Sequence, residues 1–312
     1  MSESGQRNMV HSLVVDASPA DVYDLVAQVA RWPVIFEPTV HVRHLERGAG
    51  FERFRIWAQV NGAVKNWTSR RTLNERELSI GFEQERSQAP IVSMGGRWLF
   101  HPAGEGRTEV VLEHHFRATD PDAIAEAVEH NSVKELAALG RIAEQPHPID
   151  EVVFTFEDRV ALDGTALDAY RFVNDSGRWP DRLPHVERVL LREDEPGVQD
   201  MEMDTVTRDG GKHTTRSIRL CFPHDLIVYK QLVPPALLVG HAGAWAFADG
   251  RDGAHAVATH TVAINTAAIA TVLGPDRTVA DARTFLRDAL GANSRATLSH
   301  AAGFAVAERR SP

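Results

Sequence analysis

The chain has 312 residues with a formal net charge of −9, 25% of them charged and 43% hydrophobic, the composition of an ordinary globular protein. The acidic balance disfavours a nucleic-acid backbone as partner, and the single cysteine, Cys221, rules out an intrachain disulfide and a cysteine-rich metal site. No apolar run approaches the ~18 residues of a membrane span, and Met1-Ser2-Glu3-Ser4-Gly5 leads into no basic-then-apolar segment, so a cytoplasmic protein without membrane contact is expected.

In chain order, residues 9–15 alternate weakly like a strand and stop at Asp16-Ala17-Ser18-Pro19. Ser18 can accept a hydrogen bond from a free N–H of the next turn, and Pro19 suits a first helical position. Val22, Leu25, Val26 and Val29 then follow at helical spacing, and Trp32-Pro33 is expected to end the helix. Strands are predicted over residues 40–45, 51–60, 64–73, 78–85, 92–100 and 108–117, with Asn61-Gly62 as a hairpin turn. Asp120-Pro121 opens a last helix with Ile124, Val128, Leu136, Leu139 and Ile142 on one face. The two prolines of residues 145–150 predict a stiff, extended linker.

The second half repeats the first at an offset of 147 residues. Asp21-Val22-Tyr23 returns as Asp168-Ala169-Tyr170, and Arg31-Trp32-Pro33 as Arg178-Trp179-Pro180. Gly96-x-Trp98-x-Phe100 returns as Gly243-x-Trp245-x-Phe247, and Phe82 is answered by Tyr229. Asn131-Ser132 and Asn293-Ser294 mark matching places in the two long helices, at a larger offset because of an insertion near residues 266–276. The chain is therefore read as two copies of one domain, residues 1–146 and 147–312, each large enough to bury its own core. A strand, a short helix, a run of antiparallel strands and one long amphipathic helix predict an α+β fold. In each copy a curved antiparallel sheet grips the C-terminal helix around an internal cavity, mostly apolar with a few placed polar groups.

Alternation along residues 64–73 places Trp67, Ser69, Arg71 and Leu73 on one face, taken as the inward one. A buried guanidinium must be paired or serve a ligand, so Arg71 either meets an acid such as Glu83 or Glu113, reaches solvent, or works on a substrate. Trp32 and Trp98 recur in both copies, which favours packing. At the repeat offset Trp67, Ser69 and Arg71 become Thr214, Arg216 and Ile218. Arg216 then reads as the inward arginine of the second copy, unless a one-residue gap turns it outward. The chain has no HExxH, no G-x-G-x-x-G opening a helix, no phosphate-binding G-x-x-x-x-G-K and no G-x-S-x-G. His114 and His115 point to opposite faces of a strand. No metal and no cofactor is expected.

Trp32-Pro33, Trp67-Thr68-Ser69-Arg70-Arg71 and Trp98, in this order within a tandem repeat, resemble the polyketide aromatase/cyclases of bacterial type II polyketide synthases. Lys212-His213-Thr214-Thr215-Arg216-Ser217 and Cys221-Phe222-Pro223-His224-Asp225 are similar to the second half of the di-domain subclass. The resemblance implies the START-like helix-grip fold and a catalytic pocket holding Arg71 and Ser69, walled by Trp32, Trp67 and Trp98. Single-domain members often carry a tyrosine where this chain has Thr39. Phe82, with Thr214, Tyr229 and Trp245 of the second copy, completes the expected substrate-binding set, and Arg216 is its second catalytic arginine. The implied partner is an acyl carrier protein bearing a poly-β-ketone, alongside the other synthase components. The implied reaction is first-ring closure between C7 and C12, or aromatisation of a ring closed after ketoreduction. Glu113 or His115 would assist loss of water. The alternative is a non-catalytic carrier of hydrophobic small molecules, a common use of this fold.

Overall fold

The computed structural model describes residues 5–60, 62–87, 89–206 and 211–308. Residues 1–4 of the chain start and Asn61 of the expected turn lie outside the described residues. The chain divides into two compact units, Met1–Ile149 and Asp150–Pro312.

The first unit runs β1 (Arg7–Val15), α1 (Pro19–Ala27), a 3-10 turn (Val29–Arg31), α2 (Trp32–Ile35), β2 (Thr39–Gly48), β3 (Phe51–Val60), β4 (Ala63–Asn74), β5 (Ser79–Gln84), β6 (Ile91–Pro102), β7 (Thr108–Ala118) and α3 (Pro121–Ala143). After α4 (Ile149–Val152), the second runs β8 (Val153–Ala161), α5 (Ala166–Asn174), a 3-10 turn (Ser176–Arg178), α6 (Trp179–Arg182), β9 (Val186–Glu195), β10 (Val198–Val206), β11 (Lys212–Phe222), β12 (Leu226–Gln231), β13 (Leu238–Gly250) and β14 (Gly253–Ile264). It ends with α7 (Ile269–Leu273) and α8 (Val279–Glu308). The seven-stranded sheets have matching orders, β1-β7-β6-β5-β4-β3-β2 and β8-β14-β13-β12-β11-β10-β9. In each, the chain's first strand is brought beside its last, and the long helix packs there: α3 on β1 and β7, α8 on β8 and β14. This is the expected tandem helix grip.

Local chemistry explains the boundaries. Ser18 Oγ accepts from the Asp21 N–H at 3.2 Å, Asp120 Oδ1 from that of Ala123 at 3.1 Å, and Thr165 Oγ1 from that of Asp168 at 3.1 Å. Such caps are each worth about 1 kcal/mol. Trp32-Pro33 opens α2 instead of ending α1, because a proline in the first helical turn has no N–H to lose. The linker is not extended: residues 144–147 turn and bend before α4 begins. The insertion in the second copy holds a 3-10 turn at Thr266–Ala268 and α7.

Candidate active site

Strand pairing arranges the inner face of the first sheet in transverse rows. One row reads Glu52, Arg71, Phe82, Gly96, His114 and Met9, each directly opposite the next on adjacent strands. The second sheet carries the same row as Gln199, Arg219, Tyr229, Gly243, His260 and Phe156. A second row, one pleat along, holds Phe54, Ser69 and Gln84 in the first unit, and Met201, Ser217 and Gln231 in the second.

The glycine in each row explains the repeated Gly-x-Trp-x-Phe. A Cβ on Gly96 would collide with the Glu113 carbonyl and come within 2.6 Å of Phe82 Cζ; on Gly243 it would meet the Tyr229 ring at 2.5 Å. Each glycine lets the neighbouring ring lie flat on the sheet. Gly96→Ala is expected to lose about 1–3 kcal/mol, read as a lower denaturation midpoint, because one colliding atom is backbone and cannot move aside.

Arg71 reaches the inner face as expected, but it does not project into open space. It is 1% exposed. Its Nε donates to Glu52 Oε1 at 2.9 Å and its Nη2 also bonds that carboxylate. Nη1 and Nη2 donate to the carbonyls of Val26 and Ala27 at 2.8 and 2.7 Å, closing the C-terminal end of α1. The guanidinium lies 5.1 Å from the Trp32 ring and 5.4 Å from that of Phe54. Burial pulls its pKa down and Glu52 opposes this. The partner is Glu52, which stands directly across the ladder, whereas Glu83 and Glu113 face outward and pair with His115 and Arg97. Glu113 and His115 are thus on the wrong face to assist a reaction inside.

Around Arg71, the inner face is unevenly covered. Ile80, Phe100, Leu112 and Leu139 are sealed, at 0–2% exposure. Trp32, Trp67, Phe82, Met94, His114 and Glu135 also belong to the interior, yet keep part of their surface. That end of the inner face is therefore only partly covered. Trp32 and Trp67 pack beside Phe54 and Val29, and Phe82 meets the His114 ring edge-on at 5.5 Å. Ser69 is buried and donates to the Glu83 carbonyl at 3.4 Å. His114 Nδ1 and Ser132 Oγ are buried with no partner among the described residues. Burial holds the His114 pKa down at about 4, with smaller pushes from His11 and His115. Glu135 lies on the face of α3 that carries Val128, Ser132 and Leu139, and burial raises its carboxyl to about 7. Trp98 is core, stacked against Phe100 at 6.5 Å. Thr39 is buried opposite Ala58, on the inner face but well along the strand from Glu52.

The second unit corrects two expectations. Arg216 is not inward: it is exposed and forms a two-pronged pair with Asp200, at 3.0 and 2.7 Å. Thr214 is exposed too, bonded to Asp204 at 2.7 Å in an open outer groove of about 500 Å³. The register shows why. Glu52 matches Gln199 at an offset of 147, but Arg71, opposite Glu52, matches Arg219 at 148. One extra residue between β10 and β11 turns the side chains of β11 over, and one residue fewer between β11 and β12 restores the offset of 147 at Tyr229 and Gly243. The inward arginine is therefore Arg219, 1% exposed, donating to Gln199 Oε1 at 2.8 Å and the Val173 carbonyl at 2.6 Å under the Trp179 ring.

Near Arg219, Tyr229 OH and His241 Nε2 each lie 3.1 Å from His260 Nδ1, and Ser294 Oγ lies 3.0 Å from His260 Nε2. All four side chains are under 10% exposed, as is Trp245 beside Tyr229. Spacing could not have found this cluster, because its histidines come from β13 and β14 and its serine from α8. The shared Asn-Ser of the long helices was the available signal.

Two curved antiparallel sheets, each closing on a long C-terminal helix over a partly polar interior, define a tandem helix-grip protein. A sequence profile described as polyketide cyclase / dehydrase and lipid transport matches residues 15–138. The actinorhodin polyketide synthase bifunctional cyclase/dehydratase of Streptomyces coelicolor is 56% identical, over 98% of this chain and 99% of its own. The granaticin polyketide synthase bifunctional cyclase/dehydratase of Streptomyces violaceoruber is 50% identical, over 94% and 92%. Among solved structures, the di-domain ARO/CYC BexL of the BE-7585A biosynthetic pathway superposes with a TM-score of 0.83 at 48% identity, covering 96% of this chain and 98% of its own. StfQ of the steffimycin pathway gives 0.83 at 35%, covering 96% and 99%. The chain belongs to the di-domain polyketide aromatase/cyclases, enzymes of aromatic polyketide synthases. No helix among the described residues is long and apolar enough to cross a membrane.

Proposed function

We propose that the first unit folds a poly-β-ketone, delivered on an acyl carrier protein, and closes its first ring between C7 and C12. The observation that carries this reading is the half-covered stretch of inner face bearing Trp67, Phe82, His114 and Glu135. The aromatic walls bend the chain, and holding two carbons of one chain in contact supplies up to about 7–11 kcal/mol of the barrier. Carbons between two carbonyls are already acidic, so closure needs an enolate steadied beside one chosen carbonyl, not a strong base. Arg71, Ser69, Ser132 and His114 are the donors nearest the task. Arg71 serves as the anchor of the chamber's charged end, since Glu52 and α1 occupy most of its N–H groups.

Glu135 is the acid–base group of this reading. Its raised pKa keeps the carboxyl part-protonated near neutrality, the condition a general acid requires. Glu135→Gln is expected to slow ring formation by about a hundredfold or more and to erase the limb of the pH–rate profile near pH 7. Reconstitution with a synthase and its carrier protein, followed by identification of the ring formed, is the test. An unchanged ring pattern and profile would remove Glu135 from the mechanism. Normal rings from His114→Phe and Ser69→Ala as well would remove the chamber.

A further inference from the structure

The inner face of the second sheet gathers buried polar atoms that nothing among the described residues satisfies. Arg219 Nε, Gln231 Oε1, His241 Nδ1 and Trp245 Nε1 have no hydrogen-bond partner among the described residues. They stand on the neighbouring strands β11, β12 and β13, all on the face that carries Tyr229. Arg219, His241 and Trp245 are 1%, 2% and 8% exposed. A buried donor or acceptor left alone costs about 1–3 kcal/mol, so this many orphans on one face point to a bound partner. The His241 and Trp245 rings both pack against that of Tyr229, at 5.5 and 5.1 Å.

The hydrogen-bonded chain behind them has one open end. Ser294 holds His260 Nε2, and His260 Nδ1 holds His241 Nε2. If Ser294 donates, the protons run toward His241 and its Nδ1 presents an N–H. If Ser294 accepts, they run the other way and Nδ1 presents a lone pair. In both arrangements His241 Nδ1 faces outward from the chain, as donor in one and acceptor in the other. Burial holds His241 and His260 neutral, at about 3 and about 4, so the relay carries no charge of its own. The corresponding positions of the first unit are Met94 and Phe82 in place of His241 and Tyr229. The first unit cannot build this relay.

We propose that this face is a second active site, which takes an uncharged ring bearing a carbonyl and a neighbouring hydroxyl, and removes water from it. The inference rests on the ring-closing reading of the first unit, whose product is such a β-hydroxy ketone. His241 Nδ1 takes a proton from the carbon between the carbonyl and the hydroxyl-bearing carbon. The freed electron pair becomes the new double bond as the C–O bond breaks, and the hydroxyl leaves with the proton returned by the same imidazole. Water departs, the histidine ends as it began, and nothing is oxidised or reduced. Trp245 Nε1–H and Arg219 Nε–H offer hydrogen bonds to the ring's oxygens, and His260, acting through His241, is a positioning residue. The half-covered Met203 and Thr215, farther along β10 and β11, give the approach.

The test uses the full chain with a synthase, its carrier protein and malonyl building blocks, comparing His241→Met and Tyr229→Phe with the parent. Both substitutions install what the first unit already tolerates at that place. The expected result is a ring closed at the usual carbons but heavier by one water, with dehydration slowed by about a hundredfold or more for His241→Met. Aromatic product at the parent rate from both folded variants overturns the proposal and leaves the network as packing, and so does a ring closed at the wrong carbons. Should His241→Met fail to fold, Tyr229→Phe decides between the same two outcomes through a smaller loss. His114→Phe, run alongside, reads the first unit separately. If that variant closes rings normally while His241→Met still stalls before water loss, the ring-closing reading falls and this one stands.

Discussion

Arg71→Ala is expected to destabilise the first unit by about 3–5 kcal/mol, the cost of breaking a buried ion pair by removing one partner. Three things fail together in that variant. Glu52 keeps its burial with only His44 beside it, the Val26 carbonyl keeps only the Trp32 Nε1–H while that of Ala27 loses its side-chain donor, and the Trp32 ring loses the guanidinium beneath it. A unit of this size should then unfold on the order of 10 °C lower, seen by near-ultraviolet circular dichroism or tryptophan fluorescence. Arg71→Lys should fall between, since an ammonium can meet Glu52 but cannot span to both carbonyls. Glu52→Gln should cost least, because the second unit already pairs an arginine with Gln199 at this place. Lost activity in Arg71→Ala therefore reports on folding first. An alanine variant as stable as the parent would show that the ion pair and the helix end contribute little.

The second large effect is on acid stability. In the folded protein His41 and His114 are held at about 4, His260 at about 4 and His241 at about 3, in each case mainly by burial. In the unfolded chain each titrates near 6.5. Between those limits the unfolded state binds the protons that the folded state refuses. The stability these groups contribute is thus complete above about pH 6.5 and is lost as pH falls toward 4, by about 1 kcal/mol per pH unit for each histidine. Glu135 works in the opposite sense. Its folded pKa of about 7 exceeds that of an unfolded glutamate, so lowering the pH relieves it. One unit carries two such histidines and the glutamate; the other carries His241 and His260, with His185 also lowered by burial, and no such acid among the described residues. Denaturant unfolding between pH 7 and pH 4 is expected to show the steeper loss in the second unit, and His241→Met should flatten it. A pH-independent midpoint would mean that these imidazoles are not held neutral.

Much of this architecture was legible before any coordinates. The tandem repeat, the caps at Ser18 and Asp120, and the strand positions follow from rules that act within a few residues. So does the inward face of Trp67, Ser69 and Arg71, because alternation is a property of one strand. What was not legible depends on pairing between strands. Glu52 as the partner of Arg71 needs the β3–β4 register, since no sequence distance favours Glu52 over Glu83. Arg216 faces outward because the β10–β11 hairpin has one residue more than its counterpart, which a constant repeat offset does not reveal. Its neighbours Asp200 and Asp204, both acidic, were a hint that the Thr214–Arg216 side faces water. The cluster of Tyr229, His241, His260 and Ser294 is assembled from four elements, and only tertiary packing brings them together.

The half-covered interior of the first unit has an energetic consequence. Side chains such as Trp67, Phe82 and Met94 that stay partly uncovered forgo dispersion contacts that close packing would give. The copy that set Tyr229 and two imidazoles in the same region has recovered many of them. On the roles proposed above, duplication lets such a chain hold both solutions at once, one half left partly uncovered for a long pliant guest, the other closed around a compact one. A guest molecule should accordingly firm up the hollow half more than its sibling, since there it supplies neighbours that the polypeptide withholds.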